Sequence, residues 1–252
     1  MTDSSADTSL TPSSPHSGRV LIFGSGIAGL FTALKLAEQG VSSTIITKTD
    51  PEEGSTRYAQ GGIAAVWSGE DSFEEHISDT RIAGAGLCRE ESVEICVREG
   101  PERVRELIEI GVAFTRHGAE YDLHREGGHS KRRILHADDL TGLAIENALL
   151  ARVRSSPLIH MLDHHVVVDL ITEGKLFKRW RKPGLVLGAY VLDDRTGRID
   201  PLAADVTVLA TGGAGKVYLY TSNPDTATGD GIAIAHRAGA RVANMEFMQF
   251  HP

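Results

Sequence analysis

"RVLIFGSGIAGLFTALKLAEQG", Arg19 to Gly40, opens with an unbroken apolar run from Val20 to Phe23, meets a glycine turn, and continues through Leu30, Leu34 and Ala37 at helical spacing. A short apolar run with no polar alternation is the pattern of a strand covered on both faces, and apolar residues three to four apart line one face of a helix. Gly40 then suits the helix end, where a left-handed residue is needed. "STIITK", Ser43 to Lys48, follows at once as a second strand. Strand, helix and strand within about thirty residues make a parallel crossover, so the chain opens as a Rossmann-like half.

Working outward, "EEGSTRYAQGGIAA" (Glu52 to Ala65) reads as a glycine-rich loop. Helical cover follows. Ser72 with Glu75 forms a capping box, and Pro101 suits a first helical position ahead of an apolar stripe at Val104, Leu107 and Ile108 that stops at Gly111. Thr141 is placed to cap a helix with Ile145, Ala148 and Leu149 inward. "HHVVVDL", "LVLGAYVLDD" and "ADVTVLATGG" read as strands, the last two joined by a turn at Asp194 to Gly197, and a helix is expected from Gly231 to Ala238. The expected fold class is α/β: a parallel sheet, helical cover and a β-meander.

The 252 residues are 41% hydrophobic and 24% charged, an ordinary globular composition, and carry a net charge of -8. That balance argues against a broad nucleic-acid or anionic-membrane footprint. Cys88 and Cys96 are the two cysteines, without CxxC spacing, and no metal-ligand spacing stands out among the histidines, so no metal centre is expected. Residues 1–18 read as a disordered leader rich in Ser, Thr, Pro and Asp, without the marks of a signal or transit peptide. No apolar run spans a bilayer, and a cytoplasmic setting is expected.

Gly24, Gly26 and Gly29 form GxGxxG between a strand and a helix, the context in which backbone amides and the helix dipole meet a pyrophosphate. The end of the second strand carries Lys48 instead of the acidic residue usual for NAD, and the motif alone leaves NAD, NADP and FAD open. "STRYAQGGIAA" favours FAD, because a second glycine-rich loop suits close backbone approach to another extended part of the same ligand. "ATGG", Ala210 to Gly213, offers a third approach.

With "EGGHSKRRILHADDLTG" (Glu126 to Gly142) and "ATGGAGKVYLYTSNPDTATGDG" (Ala210 to Gly231), the motifs resemble the flavoprotein family of L-aspartate oxidase, succinate dehydrogenase and fumarate reductase, nearest its aspartate-oxidising members. The resemblance runs from Arg19 to Pro252. It implies an FAD-binding domain over 19–240 and, at 241–252, the start of a connection to a capping domain that is absent or only begun here. It implies Gly24, Ser25, Gly26, Ile27, Ala28 and Gly29 at the pyrophosphate and Lys48 after the second strand. Along the flavin it places Ser55, Thr56, Arg57, Tyr58, Ala59, Gln60, Gly61 and Gly62; Val168 makes a backbone contact to the adenine end and Asp230 touches FAD. Asp230 also fits a plain helix cap.

Respiratory members attach the flavin covalently through a histidine shortly before "AQGG", where this sequence has Ser55, so dissociable FAD is implied. Glu126 stands where succinate-oxidising members have glutamine, and the resemblance gives its carboxylate the substrate's α-amino group to orient, with nearby cations balancing the two carboxylates. A solvated ion-pair surface of Glu126, Arg132 and Arg133 is the competing reading. His251 matches a histidine contacting a substrate carboxylate; His136, His164 and His165 are read as structural. The implied activity is oxidation of L-aspartate to iminoaspartate, with dioxygen or fumarate as acceptor, at the start of NAD synthesis and coupled to quinolinate synthase. The family's catalytic arginine is expected beyond residue 252. A succinate dehydrogenase or fumarate reductase type of flavoprotein, and a non-catalytic dinucleotide-binding module, are the alternatives.

Overall fold

The computed structural model describes residues 19–178 and 184–250, so the leader and His251 lie outside the described residues. Strand β1 (Val20–Phe23) is buried at every position. Helix α1 (Ile27–Glu38) leads back to β2 (Ser43–Ile46), which pairs in parallel with β1. The glycine-rich segment holds one helical turn, α2 (Ser55–Tyr58), and a short strand, β3 (Ile63–Ala64). Helices α3 (Phe73–Ala83) and α4 (Glu90–Ile110) are followed by four short strands, β4 (Arg116–His117), β5 (Glu120–Tyr121), β6 (Leu123–His124) and β7 (Ile134–Leu135). Next come α5 (Thr141–Arg154), β8 (Ile159–Leu162), β9 (His165–Thr172), α6 (Glu173–Leu176), β10 (Val186–Asp193), β11 (Ile199–Ala203), β12 (Val206–Leu209) and α7 (Asp230–Arg237).

The central sheet is parallel, in the order β12-β1-β2-β8, and β11-β10-β9 is an antiparallel meander. Side chains alternate across β1 and so divide the core in two. Val20 and Ile22 pack with Leu30 and Leu34 of α1 and Ile145 and Leu149 of α5. Leu21 and Phe23 pack with Leu170 of β9, Val191 of β10 and Ile234 of α7. The result is α1 and α5 on one face of the sheet and the meander with α7 on the other, the α/β architecture expected from the sequence.

Four local expectations need correction. Pro101 lies inside α4, not at its start; the buried stripe Val93, Val97, Pro101, Val104 and Leu107 runs through it, and that burial offsets the hydrogen bond a proline cannot make. Leu140, not Thr141, is the cap residue of α5, and the Thr141 hydroxyl instead accepts from the Ala137 amide (3.0 Å) and donates to the Gly61 carbonyl (2.6 Å). The turn at Asp194–Gly197 leads into β11, a strand not expected from the sequence; it is an edge strand, where its Pro201 is tolerated. "ADVTVLATGG" therefore does not pair with β10 as a hairpin but crosses to the parallel sheet, Val206 opposite Val20. The fourth parallel strand, β8, was also unforeseen, its four residues being interrupted by the exposed His160.

Candidate active site

The carboxyl ends of β1, β2 and β12 converge on a cleft of about 420 Å³ lined by the Gly24–Ala28 turn, Thr47, Lys48, the Glu53–Thr56 segment, Ala210–Gly213 and Asp230. Ligands of open parallel sheets bind at this edge, where strands end and helices begin. Gly24 has φ 112°, and a side chain there would overlap the Ala210 carbonyl, so the turn must be glycine for β1 and β12 to lie this close. A Cβ on Gly29 would likewise run into the Gly24 carbonyl, fixing how α1 starts.

The cap residue of α1 is Gly26, which has no side chain to offer the first amides of the helix. The Ile27 amide donates to Thr56 Oγ1 at 3.0 Å and the buried Ser25 hydroxyl donates to Thr47 Oγ1 at 3.0 Å, which ties the turn to α2 and to β2. The helix end, with its partial positive charge, opens on the cleft and matches a diphosphate. Across from it, side chains added at Gly54, Gly212 or Gly213 would meet nothing within 4 Å, so these walls are bare backbone. A long, flat, doubly charged dinucleotide fits such a cleft.

Lys48 crosses from β2 to α7: its ammonium donates to Asp230 at 3.0 Å and to Thr228 Oγ1 at 2.8 Å. The ion pair neutralises the cation that the sequence offered to a 2'-phosphate of NADP. Asp230 is the first residue of α7, and Gly229 is its cap.

The second glycine-rich segment divides. Ser55 and Thr56 line the cleft, whereas Arg57 to Gly62 lead away from it toward α5 and β7. The Tyr58 hydroxyl donates to Glu53, and that bond raises its pKa; the Ala59 carbonyl accepts from Gly142 at 2.9 Å; Gln60 is exposed. Gly62 is fixed by packing, since a side chain there would strike the Leu135 carbonyl.

Glu126 sits in an exposed turn, and a Cβ on Gly61 would lie 3.5 Å from its Oε1, so the carboxylate stands against "AQGG". Among the described residues it has no ion-pair partner. Lys131, Arg132 and Arg133 are engaged elsewhere, a correction to both sequence readings of them. Arg133 is wholly buried and pairs with Asp71 and Asp79 at 2.7 Å each; Lys131 reaches Glu75 at 3.5 Å; Arg132 donates to the Leu123 carbonyl at 3.3 Å. Burial opposes ionisation of Asp79, but bonds from Ser130 and Arg133 outweigh it and hold the carboxyl below its usual range.

Val168 does not line the cleft. A register slip between Tyr190 and Val191 leaves it without a partner on β10, and its carbonyl accepts from Arg237 at 2.9 Å. His165 and Val167 are the cleft-lining residues of β9, and strand alternation, which puts them on one face, is the signal that could have found them. Glu146, also unforeseen, is fully buried on α5 with both oxygens lacking a hydrogen-bond partner among the described residues; burial pushes its pKa up to about 7, opposed by Arg57 and reinforced by Glu52 and Glu53.

Comparison with known proteins places this geometry. The family model described as "FAD binding domain" matches residues 19–252. L-aspartate oxidase of Pseudomonas aeruginosa is 52% identical over 241 residues, covering 92% of this chain and 44% of the relative. L-aspartate oxidase 1 of Ralstonia nicotianae is 53% identical over 237 residues, with the same coverages. Among solved structures, the Mycobacterium smegmatis Sdh1 complex superposes with a TM-score of 0.83 at 32% identity, over 94% of this chain and 41% of that one. The chain thus spans less than half the length of these relatives. No helix among the described residues is long and apolar enough to cross a membrane. The cofactor is FAD, and the chain belongs to the FAD binding domain family.

Proposed function

We propose that this chain serves the FAD-dependent oxidation of L-aspartate to iminoaspartate, the first step of de novo NAD synthesis, with dioxygen or fumarate as acceptor. The observation that carries the reading is Glu126: a carboxylate without an ion-pair partner among the described residues, set against the "AQGG" segment of a chain about half identical to L-aspartate oxidases. A carboxylate facing the substrate favours an ammonium-bearing dicarboxylate over succinate, which has no positive charge to meet it.

Bound FAD would supply the redox chemistry, as the acceptor for a hydride from the substrate's Cα and the donor to the terminal acceptor. The protein's part is position and charge. The Gly24–Ala28 turn and the α1 end receive the diphosphate, Lys48 with Asp230 closes the cleft beside it, and the flavin follows the segment that starts at Ser55 and Thr56 in the cleft and leads out of it to Gly62. Although the Val168 side chain lies outside the cleft, its backbone, next to the cleft-lining Val167, is assigned to the adenine end. Glu126 holds the α-ammonium and His251 a carboxylate. Ser55, with no nucleophilic imidazole, leaves FAD non-covalently held, so acid precipitation should release all flavin into the supernatant.

The setting proposed is cytoplasmic, with the product passing to quinolinate synthase. The test is anaerobic addition of L-aspartate to a chimaera in which the Pseudomonas aeruginosa relative supplies everything after Pro252. Bleaching of the flavin band by L-aspartate but not by succinate supports the reading; bleaching by succinate alone favours the respiratory alternative and overturns it.

A further inference from the structure

Linear spacing hides a cluster that the fold assembles. Asp122 and His124 are two apart along an extended segment, so they share a face. β6 and β7 pair antiparallel, Leu123 opposite Leu135 and His124 opposite Ile134; continuing that register by one residue sets His136 opposite Asp122. All three side chains thereby meet, their ligand atoms within 4.8 Å of one another.

The distances are informative. Asp122 Oδ2 lies 3.5 Å from His136 Nε2 and 3.6 Å from His124 Nε2. Both are too long for a good hydrogen bond, but close to the roughly 3.3 Å that separates neighbouring ligands on a tetrahedral ion with bonds of about 2.0–2.1 Å. His136 supplies a second, independent sign: the residue is only 5% exposed, yet neither ring nitrogen has a hydrogen-bond partner among the described residues. A buried polar group left unpaired is costly, and an ion would satisfy the Nε2 atom of the two.

The scaffold around the cluster is fixed. The His136 carbonyl accepts from the Thr115 amide at 2.8 Å and the His124 carbonyl from the Arg133 amide at 3.1 Å. The two imidazoles stack with centroids 3.7 Å apart and an angle of 23°, which brings their Nε2 edges to the same carboxylate. The His124 side chain, 53% exposed, has room to tilt its lone pair toward a shared ion, and open solvent on that side offers a fourth position to water.

We propose that Asp122, His124 and His136 form a binding site for one divalent transition-metal ion of the zinc class, tying β6 to the segment after β7. Two imidazoles and one carboxylate are a donor set that selects such ions over magnesium or calcium, which prefer oxygen alone. The ion would brace the strand that runs directly into Arg125 and Glu126. The proposal does not depend on the reaction assigned to the flavin.

The experiment is titration of the FAD-loaded, metal-stripped protein with zinc chloride against a chromophoric chelator. The wild type should bind one equivalent, and Asp122→Asn and His124→Gln, both at half-exposed positions that leave the core intact, should each weaken binding by at least about tenfold. His164→Gln, in the separate Asp50–Asp163–His164 group whose histidine already lies 3.1 Å from Asp50, should leave binding unchanged. No stoichiometric binding by the wild type, or equal binding by all variants, would overturn the proposal, the latter pointing to Cys88, Cys96 or another histidine.

Discussion

Arg133 presents Nη2 and Nε to the two carboxylate oxygens of Asp71, at 2.7 and 2.9 Å, with neither side chain exposed to solvent. This planar fork, with Nη1 on Asp79 of α3, anchors the strand region carrying Glu126 to the helical cover. Removing one partner of a buried pair strands the other charge. Arg133→Met should therefore destabilise the fold by about 3–5 kcal/mol, whereas Asp71→Asn together with Arg133→Met should recover part of the loss, as read by urea unfolding. Arg133→Lys should rescue little, because one ammonium cannot match two fork contacts.

Glu146 makes stability fall as pH rises. Its folded pKa, about 7, lies above the ordinary value of 4.5, so the folded state holds the proton where the unfolded chain has lost it. Stability is complete below about pH 4.5 and declines until about pH 7. Glu146→Gln removes the titration. Its Tm relative to wild type should climb between pH 5 and pH 8, by roughly 2–4 °C for each kcal/mol relieved. A pH-independent difference would show that Glu146 does not change its proton affinity on folding.

Two glycines of the cleft should separate by role. Gly24→Ala forces a side chain onto a left-handed backbone against the Ala210 carbonyl and should lower both stability, by about 1–3 kcal/mol or more, and FAD binding. At Gly213 a methyl group meets nothing within 4 Å. Gly213→Ala should leave stability within about 0.5 kcal/mol while weakening FAD binding, because the methyl occupies cofactor space. Thermal unfolding and FAD titration of the two variants check this.

What the sequence made legible follows from locality. GxGxxG, the β-α-β run and the Ser72–Glu75 capping box are short-range devices, and the structure has the Glu75 amide on Ser72 Oγ at 3.2 Å. Which strand lies beside β1 was not legible, because β12 is joined to it by nearly the whole chain and its apolar pattern is equally that of a hairpin strand. The fate of the Lys131–Arg133 cations was hidden for the same reason: Asp71, Asp79 and Glu75, which receive two of them, lie more than fifty residues earlier. Pro101 misled because burial of a continuous stripe outweighed a local breaker.

The role of Glu126 is tested most directly by exchanging it for glutamine in the chimaera with the Pseudomonas aeruginosa relative and measuring anaerobic flavin reduction by L-aspartate and by succinate. The account predicts that Glu126→Gln lowers the aspartate-to-succinate ratio of reduction rates at least about tenfold, in keeping with a charge-assisted contact of about 1.5–3 kcal/mol. An unchanged ratio would contradict it.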